Sequence, residues 1–366
     1  LLPGWLVPMS LPYSQMDWRS DLKALREPKI MGGYAVSDSY SMPWLVSLRD
    51  DTGFHFCGGT VIAPNVVMTA AHCVAPKPEL PWWDNRLPLV AVGNHNQQKD
   101  YQDPDALYQP ALTITHSSFS PETVSDDIAL LFFDQDLVDM HGDSGYVTLP
   151  EFNHEIVDGT KGVAYGWGLL DEDQSLPSAQ LYAVDTQMYT RETCQDASLY
   201  EDGSILGGMF CAGGGLVGSA SESESASGVV ASFEGGIDSC SGDSGGPLLD
   251  YNASDDESAP LQVGIVSWGV GCGREGYPGV YVDLAAYNDW IARQMDLVEG
   301  LKPHLSCFGG SSSGSSSGSS GGSTTDEEAG EEGGWHGDVG GAFELFRGTL
   351  FASVACGEVP PLMNKY

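Results

Sequence analysis

Positive charge is scarce in this chain: 15 Lys and Arg stand against 51 Asp and Glu in 366 residues, a formal charge of −36. Such a balance argues against nucleic acid and anionic membranes as partners, because both present dense negative charge of their own. Basic substrates would be attracted. Charges far from a cleft are screened within about 8 Å at physiological salt, so solubility in a saline or acidic medium explains the acidity at least as well. Long apolar runs are missing too, and no stretch approaches the roughly 20 residues needed to span a bilayer. The chain opens without Met and without a basic-then-apolar leader, from which we expect a secretion signal that has been removed or is absent from this sequence. None of the eight cysteines forms a Cys-x-x-Cys pair, which argues against a structural zinc site. Neither a metal nor a cofactor is expected.

What the chain does have is glycine, 47 residues of it, with 21 prolines spread between short apolar runs. Pro88–Val92, Leu112–Thr115, Gly162–Tyr165 and Leu261–Ser267 lie between turn signals, the pattern of an all-β protein. One helix is predicted over Ala285–Val298, where Tyr287, Ile291, Met295 and Val298 recur at helical spacing. The length allows one large core with appendages, and by itself equally allows two or three domains.

Chemistry concentrates in Asp238-Ser-Cys-Ser-Gly-Asp-Ser-Gly-Gly-Pro-Leu248. Ser244 is a candidate nucleophile, inert until a base takes its proton, and Gly242 lets the backbone bend so that N–H groups converge on a developing oxyanion. A Gly/Ser-rich turn is the ordinary reading of such a loop, so a base and an orienting acid must be found. His72, in Thr-Ala-Ala-His-Cys73, can take and return a proton near neutral pH. Asp127, at the head of the apolar run Asp127–Phe133, can orient an imidazole and stabilise its charged form. Taken singly, His72 is more often a surface or core histidine, and Asp127 a strand-end cap.

The order His, Asp, Ser, in the contexts Ala-Ala-His-Cys, Asp-Ile-Ala-Leu-Leu and Gly-Asp-Ser-Gly-Gly-Pro, resembles the chymotrypsin/trypsin family of serine peptidases. Ile30-Met-Gly-Gly33, Pro43–Leu48, Gly166-Trp-Gly168, Cys211-Ala-Gly213, Val266-Ser-Trp-Gly269 and Pro278-Gly-Val-Tyr281 match in the same order, over about residues 30–298. The resemblance implies two packed six-stranded antiparallel β-barrels closed by a C-terminal α-helix. It implies a secreted endopeptidase working through an acyl-enzyme: Ser244 attacks, His72 shuttles the proton, Asp127 orients, and the N–H groups of Gly242 and Ser244 hold the oxyanion. The same resemblance puts Asp238, six residues before Ser244, at the base of the primary pocket, with Ser267, Trp268, Gly269 and Gly279 around it, so that substrates with Arg or Lys are selected. It implies disulfides Cys57–Cys73, Cys194–Cys211 and Cys240–Cys272, leaving Cys307 for Cys356; spacing alone leaves the connectivity open. Activation by cleavage between Lys29 and Ile30 follows by the same analogy, the new α-amine pairing with Asp243, with Met31 where Val is usual and with Pro28 beside the cut.

The organisation expected is therefore a propeptide-like segment 1–29, a peptidase domain 30–298 and an extension 299–366. Within the extension, residues 309–334 read as a flexible Gly/Ser-rich and acidic linker. The Gly-, Ser- and Glu-rich stretch between Cys211 and Asp238 is an insertion relative to the family, and Ser241 replaces a larger residue. Asp100, Asp103 and Asp105 fall where some relatives bind calcium, but Asn94 stands where an acid is usual, so solvated acids are the better reading. Asn252-Ala-Ser254 is a glycosylation sequon. The expected partners are protein or peptide substrates and protein inhibitors, and the expected state is a monomer. The competing reading is a catalytically silent relative that binds partners through the same surface.

Overall fold

A computed structural model describes residues 32–36, 42–76, 87–93, 96–97, 107–137, 145–218, 231–250 and 260–305, with side chains as far as residue 300. Its strands are short, and glycines at positive φ turn the chain between them. In chain order they run β1 (Tyr34–Ala35), β2 (Leu45–Arg49), β3 (His55–Ala63), β4 (Val66–Thr69), β5 (Leu89–Val92), β6 (Leu107–Tyr108), β7 (Leu112–Thr115) and β8 (Ala129–Phe132). They continue as β9 (Thr160–Gly166), β10 (Tyr182–Tyr189), β11 (Met209–Gly213), β12 (Leu216–Val217), β13 (Ser232–Phe233), β14 (Pro247–Asp250), β15 (Gln262–Trp268) and β16 (Gly279–Asp283). Every pairing between these strands is antiparallel, in keeping with the all-β expectation.

The C-terminal half closes on itself: β9, β10, β11, β16, β15 and β14 follow one another, and β14 pairs back to β9, giving a six-stranded barrel. Closure leaves no free edge. The N-terminal half is one curled sheet in the order β6-β5-β2-β3-β4-β8-β7, a half-barrel among the described residues. One core cluster joins the two: Trp44, Val46 and Leu48 of the first half pack with Val163, Tyr165, Trp167 and Leu249 of the second, and Trp44 meets Tyr165 edge-on at 6.0 Å. Burying side chains of this size contributes about 1.5–3 kcal/mol each, so the seam between the halves is held as firmly as either interior.

Helix α1 (Ala71–Val74) is a single turn after β4 and α2 (Arg191–Ala197) is capped by Thr190. The predicted C-terminal helix starts differently from expectation. Leu284–Tyr287 form a 3-10 turn in which the Asp283 carboxylate accepts the Ala285 N–H, and α3 runs Asn288–Leu305, beyond Val298. Residues 292–366 form a second unit. The propeptide-like segment, the 219–230 part of the insertion, the glycosylation sequon, the proposed calcium-loop acids Asp100, Asp103 and Asp105, and the C-terminal linker and tail all lie outside the described residues.

Candidate active site

His72 sits on α1, the single turn that follows β4. Cys73 beside it is bonded to Cys57 of β3, so the imidazole is anchored to the half-barrel by a covalent staple. Asp127 precedes β8, the strand paired with β4. It is buried, and its carboxylate takes three hydrogen bonds: from His72 N–H at 2.8 Å, from His72 Nδ1 at 2.7 Å and from Ser267 Oγ at 2.6 Å. A carboxylate only accepts, so the proton between it and the ring belongs on Nδ1, and the lone pair of the neutral ring is on Nε2. The backbone just before this acid is bent through positive φ at Val124 (53°) and Asp126 (54°).

Ser244 is held from the opposite side. Its carbonyl accepts the N–H of Gly58 at 2.7 Å, one residue from Cys57, and lies 3.7 Å from the Cys73 sulfur, which is itself 3.7 Å from His72 Nε2. One disulfide thus touches both the base and the nucleophile's backbone. Gly245, at φ 79°, packs so close to Thr69 and Gly58 that no Cβ would fit, and Gly242 has φ 100° with Gly168 Cα 3.0 Å from where its Cβ would be. These two contacts explain why the loop around Ser244 is rich in glycine. The N–H groups of Gly242 and Ser244 donate to no acceptor among the described residues.

Asp243 turns away from the cleft. Its carboxylate is fully enclosed between the amides of Gly168 (2.7 Å) and Cys240 (2.8 Å), and burial raises its pKa to about 6 against the pull of those two donors. Lys29 and Ile30 lie outside the described residues, so no partner from the N-terminal segment is assigned to it. Gly32 is described; a Cβ there would fall 2.7 Å from the Gly236 carbonyl, so the chain just after Ile30 runs against the loop that leads into Asp238.

The neighbouring cavity, of about 220 Å³, is lined by Asp238, Ser241, Ser244, Ser267, Trp268, Gly269, Gly271, Cys272 and Gly279 among others. The five residues assigned to the pocket from sequence all lie on it. Asp238 is its buried acid: Oδ2 accepts Gly273 N–H at 2.9 Å, while Oδ1 has no hydrogen-bond partner. Desolvation raises its pKa to about 8, with the Gly273, Ser239 and Gly279 amides opposing and Asp243 adding to the rise. A Cβ on Gly279 would sit 2.5 Å from Asp238 Oδ1, so that wall requires glycine; Gly269 has ordinary space around it.

Cys194–Cys211 and Cys240–Cys272 are both formed, the second tying the nucleophile loop to the far wall of the cavity; Cys307 and Cys356 lie outside the described residues. Sequence reasoning missed His55 and Ser47. His55 Nε2–H donates to the Gly242 carbonyl at 2.9 Å and its Nδ1 meets Ser47 Oγ at 2.8 Å, while burial lowers its pKa to about 4, so the ring is a neutral buttress of the glycine loop. Nothing local in His55-Phe-Cys57 announces that contact. The cluster Cys57, His72 and Cys73 has metal-ligand proximity, but its two sulfurs are bonded to each other.

The arrangement can do nucleophilic acyl chemistry beside a pocket with one unpaired buried oxygen. The family model described as Trypsin matches residues 30–228 and 221–291. Trypsin II-P29 of Gallus gallus is 32% identical over 266 residues, covering 72% of this chain and 88% of that protein. Serine protease 56 of Mus musculus is 33% identical over 270 residues, 73% of this chain and 39% of that protein. Vitellin-degrading protease of Bombyx mori is 33% identical over 276 residues, 74% of this chain and 88% of that protein.

Proposed function

The chain belongs to the trypsin family of serine peptidases, and from that premise we propose that it is an extracellular endopeptidase cleaving after Arg or Lys. Ser244 Oγ attacks the substrate carbonyl carbon as His72 Nε2 takes its proton. The carbonyl electrons move onto oxygen, which the N–H groups of Gly242 and Ser244 receive. Collapse of that intermediate breaks the C–N bond, with the proton passing from His72 to the leaving amine. Water then repeats the sequence to release the acid and restore Ser244. Asp127 holds the Nδ1–H tautomer and stabilises the imidazolium throughout, and Ser267 fixes Asp127.

The observation that carries this reading is the His72–Asp127 pair at 2.7 Å, tied through the Cys57–Cys73 disulfide to the backbone of Ser244. Preference for Arg or Lys is supported by the unpartnered Oδ1 of Asp238, which a cationic side chain would satisfy. Three disulfides support an oxidising compartment, and no helix among the described residues is long and apolar enough to cross a membrane. The peptidase unit is taken as residues 30–298, flanked by the 1–29 segment and the 299–366 extension. Release of Ile30 would supply an ammonium to Asp243 and hold it ionised, offsetting the burial that raises its pKa.

Labelling tests the chemistry. A fluorescent phosphonate bearing a basic side chain should react with the protein cut after Lys29, and Ser244→Ala should abolish the label. Persistence of labelling in Ser244→Ala, or no labelling of the cut protein, would leave the silent binding module as the better account.

A further inference from the structure

Glu172 and Arg274, which carry no motif in the sequence, are 102 positions apart. Glu172 lies in the loop that follows β9. At its start that loop is pinned to the rim of the cavity, where Leu169 N–H donates to the Ser241 carbonyl at 2.8 Å. At Glu172 it reaches the opposite wall. Oε2 accepts Arg274 Nη2 at 2.8 Å, Oε1 accepts Arg274 Nε at 2.9 Å, and Oε1 also accepts the backbone N–H of Cys272. Gly271, at φ 75°, passes under the pair; a Cβ there would collide with Glu172 Oε1 and Arg274 Nε.

Consecutive amides of this wall point at two different carboxylates. Cys272 N–H goes outward to Glu172, and the next, Gly273 N–H, goes inward to Asp238 Oδ2 at 2.9 Å. Cys272 is also fixed by its disulfide to Cys240. The two amides belong to successive peptide planes that meet at Cys272 Cα, so a shift of Cys272 that releases one bond moves the plane carrying the other. We propose that Glu172 and Arg274 are positioning residues, forming an external clasp that sets the orientation of the Gly273 amide and so the readiness of Asp238 to receive a cation. This rests on the basic-pocket reading above and extends it.

The pair is not a stability device. Its side chains are 30% and 55% exposed, and ion pairs in that setting contribute little to folding. What three converging donors supply is geometry. Losing the clasp should therefore weaken ground-state capture of a cation while leaving bond-breaking alone.

The test compares Glu172→Ala, Glu172→Gln and Arg274→Ala with the parent enzyme, all cut after Lys29 and counted by phosphonate titration. For Glu172→Ala, KM for an Arg anilide and Ki for benzamidine should rise together by about tenfold, the size of one charge-assisted hydrogen bond, with kcat within about twofold and little change in Tm. Glu172→Gln keeps an acceptor for Cys272 N–H and should recover part of that loss. Arg274→Ala should fall between the two. Unchanged KM and Ki in Glu172→Ala would overturn the clasp, and so would a fall in kcat accompanied by a large drop in Tm. Failure of the parent enzyme itself to bind benzamidine would instead strike the basic-pocket reading on which the clasp is built.

Discussion

Asp238 concentrates the electrostatics of the site in one carboxyl. Burial holds its pKa near 8, so in the empty pocket below that pH the carboxyl is mostly protonated. A cation binds the ionised form, and capture must expel the proton. The sign follows directly: affinity rises with pH up to about 8 and is flat above it, changing about tenfold per unit on the rising limb. Calorimetry of benzamidine binding in buffers of different ionisation heat should find about one proton released at about pH 6.5 and none at about pH 10. Asp238→Asn should lose both the binding and the proton release. Binding that is pH-independent between those limits would show that the Gly273, Ser239 and Gly279 amides already keep the carboxylate ionised.

At the level of elements, the end of β9 packs against the loop proposed to receive the oxyanion. Gly166 and Gly168 flank the fully buried Trp167, whose ring lies edge-on to His55 at 5.6 Å. A Cβ on Gly168 would fall 2.6 Å from the Asp243 carboxyl carbon, and one on Gly166 would collide with Asp243 Oδ1. Asp243 lies between Gly242 and Ser244, the two residues proposed to receive the oxyanion, so displacing it should rotate both. Gly166→Ala should lower kcat by about 10²–10³-fold, comparable to losing one oxyanion donor, while Asp127 and His72 stay paired. Steady-state kinetics normalised by titration would check this, and kcat within about threefold of the parent would refute it.

The same elements show what could be read in the sequence. Leu112–Thr115 is a strand as predicted, and Gly162–Tyr165 falls within Thr160–Gly166, because alternation and turn residues act over a few positions. The three catalytic contexts were legible for another reason: each is a short segment whose neighbours are dictated by the backbone it must form. By contrast, His55 to Gly242 spans 187 positions, Ser267 to Asp127 spans 140 and Glu172 to Arg274 spans 102. Such pairs are made by topology: His55, Glu172 and Arg274 look like ordinary polar residues, and even for Asp127 and Ser267 the contact itself is not written in either segment.

Across the whole molecule, the shortage of cations becomes a question of self-digestion, since an enzyme specific for Arg and Lys threatens its own chain. The described side chains include few targets. Arg49 is fully buried in β2, and Lys161 lies within β9 in register with Gln187. Arg191 opens α2 beside Glu192 at 2.6 Å, Arg274 is gripped by Glu172, and Arg293 is inside α3. Each would have to leave its strand, helix or ion pair to enter a cleft as extended chain, and cleavage there is limited by local opening. Arg19, Lys23, Arg26, Lys29, Arg86, Lys99, Arg347 and Lys365 lie outside the described residues. Incubating the full chain with a trace of active enzyme, and sequencing new N-termini over time, should yield Ile30 ahead of any terminus from the described residues. Fragments beginning at Asp50, Gly162, Glu192, Glu275 or Gln294 should appear only as the temperature approaches Tm. If those termini arose as early as Ile30, the barrels would be opening under native conditions, and the tight register around β9 and the Glu172 clasp would not be restraining the chain as argued.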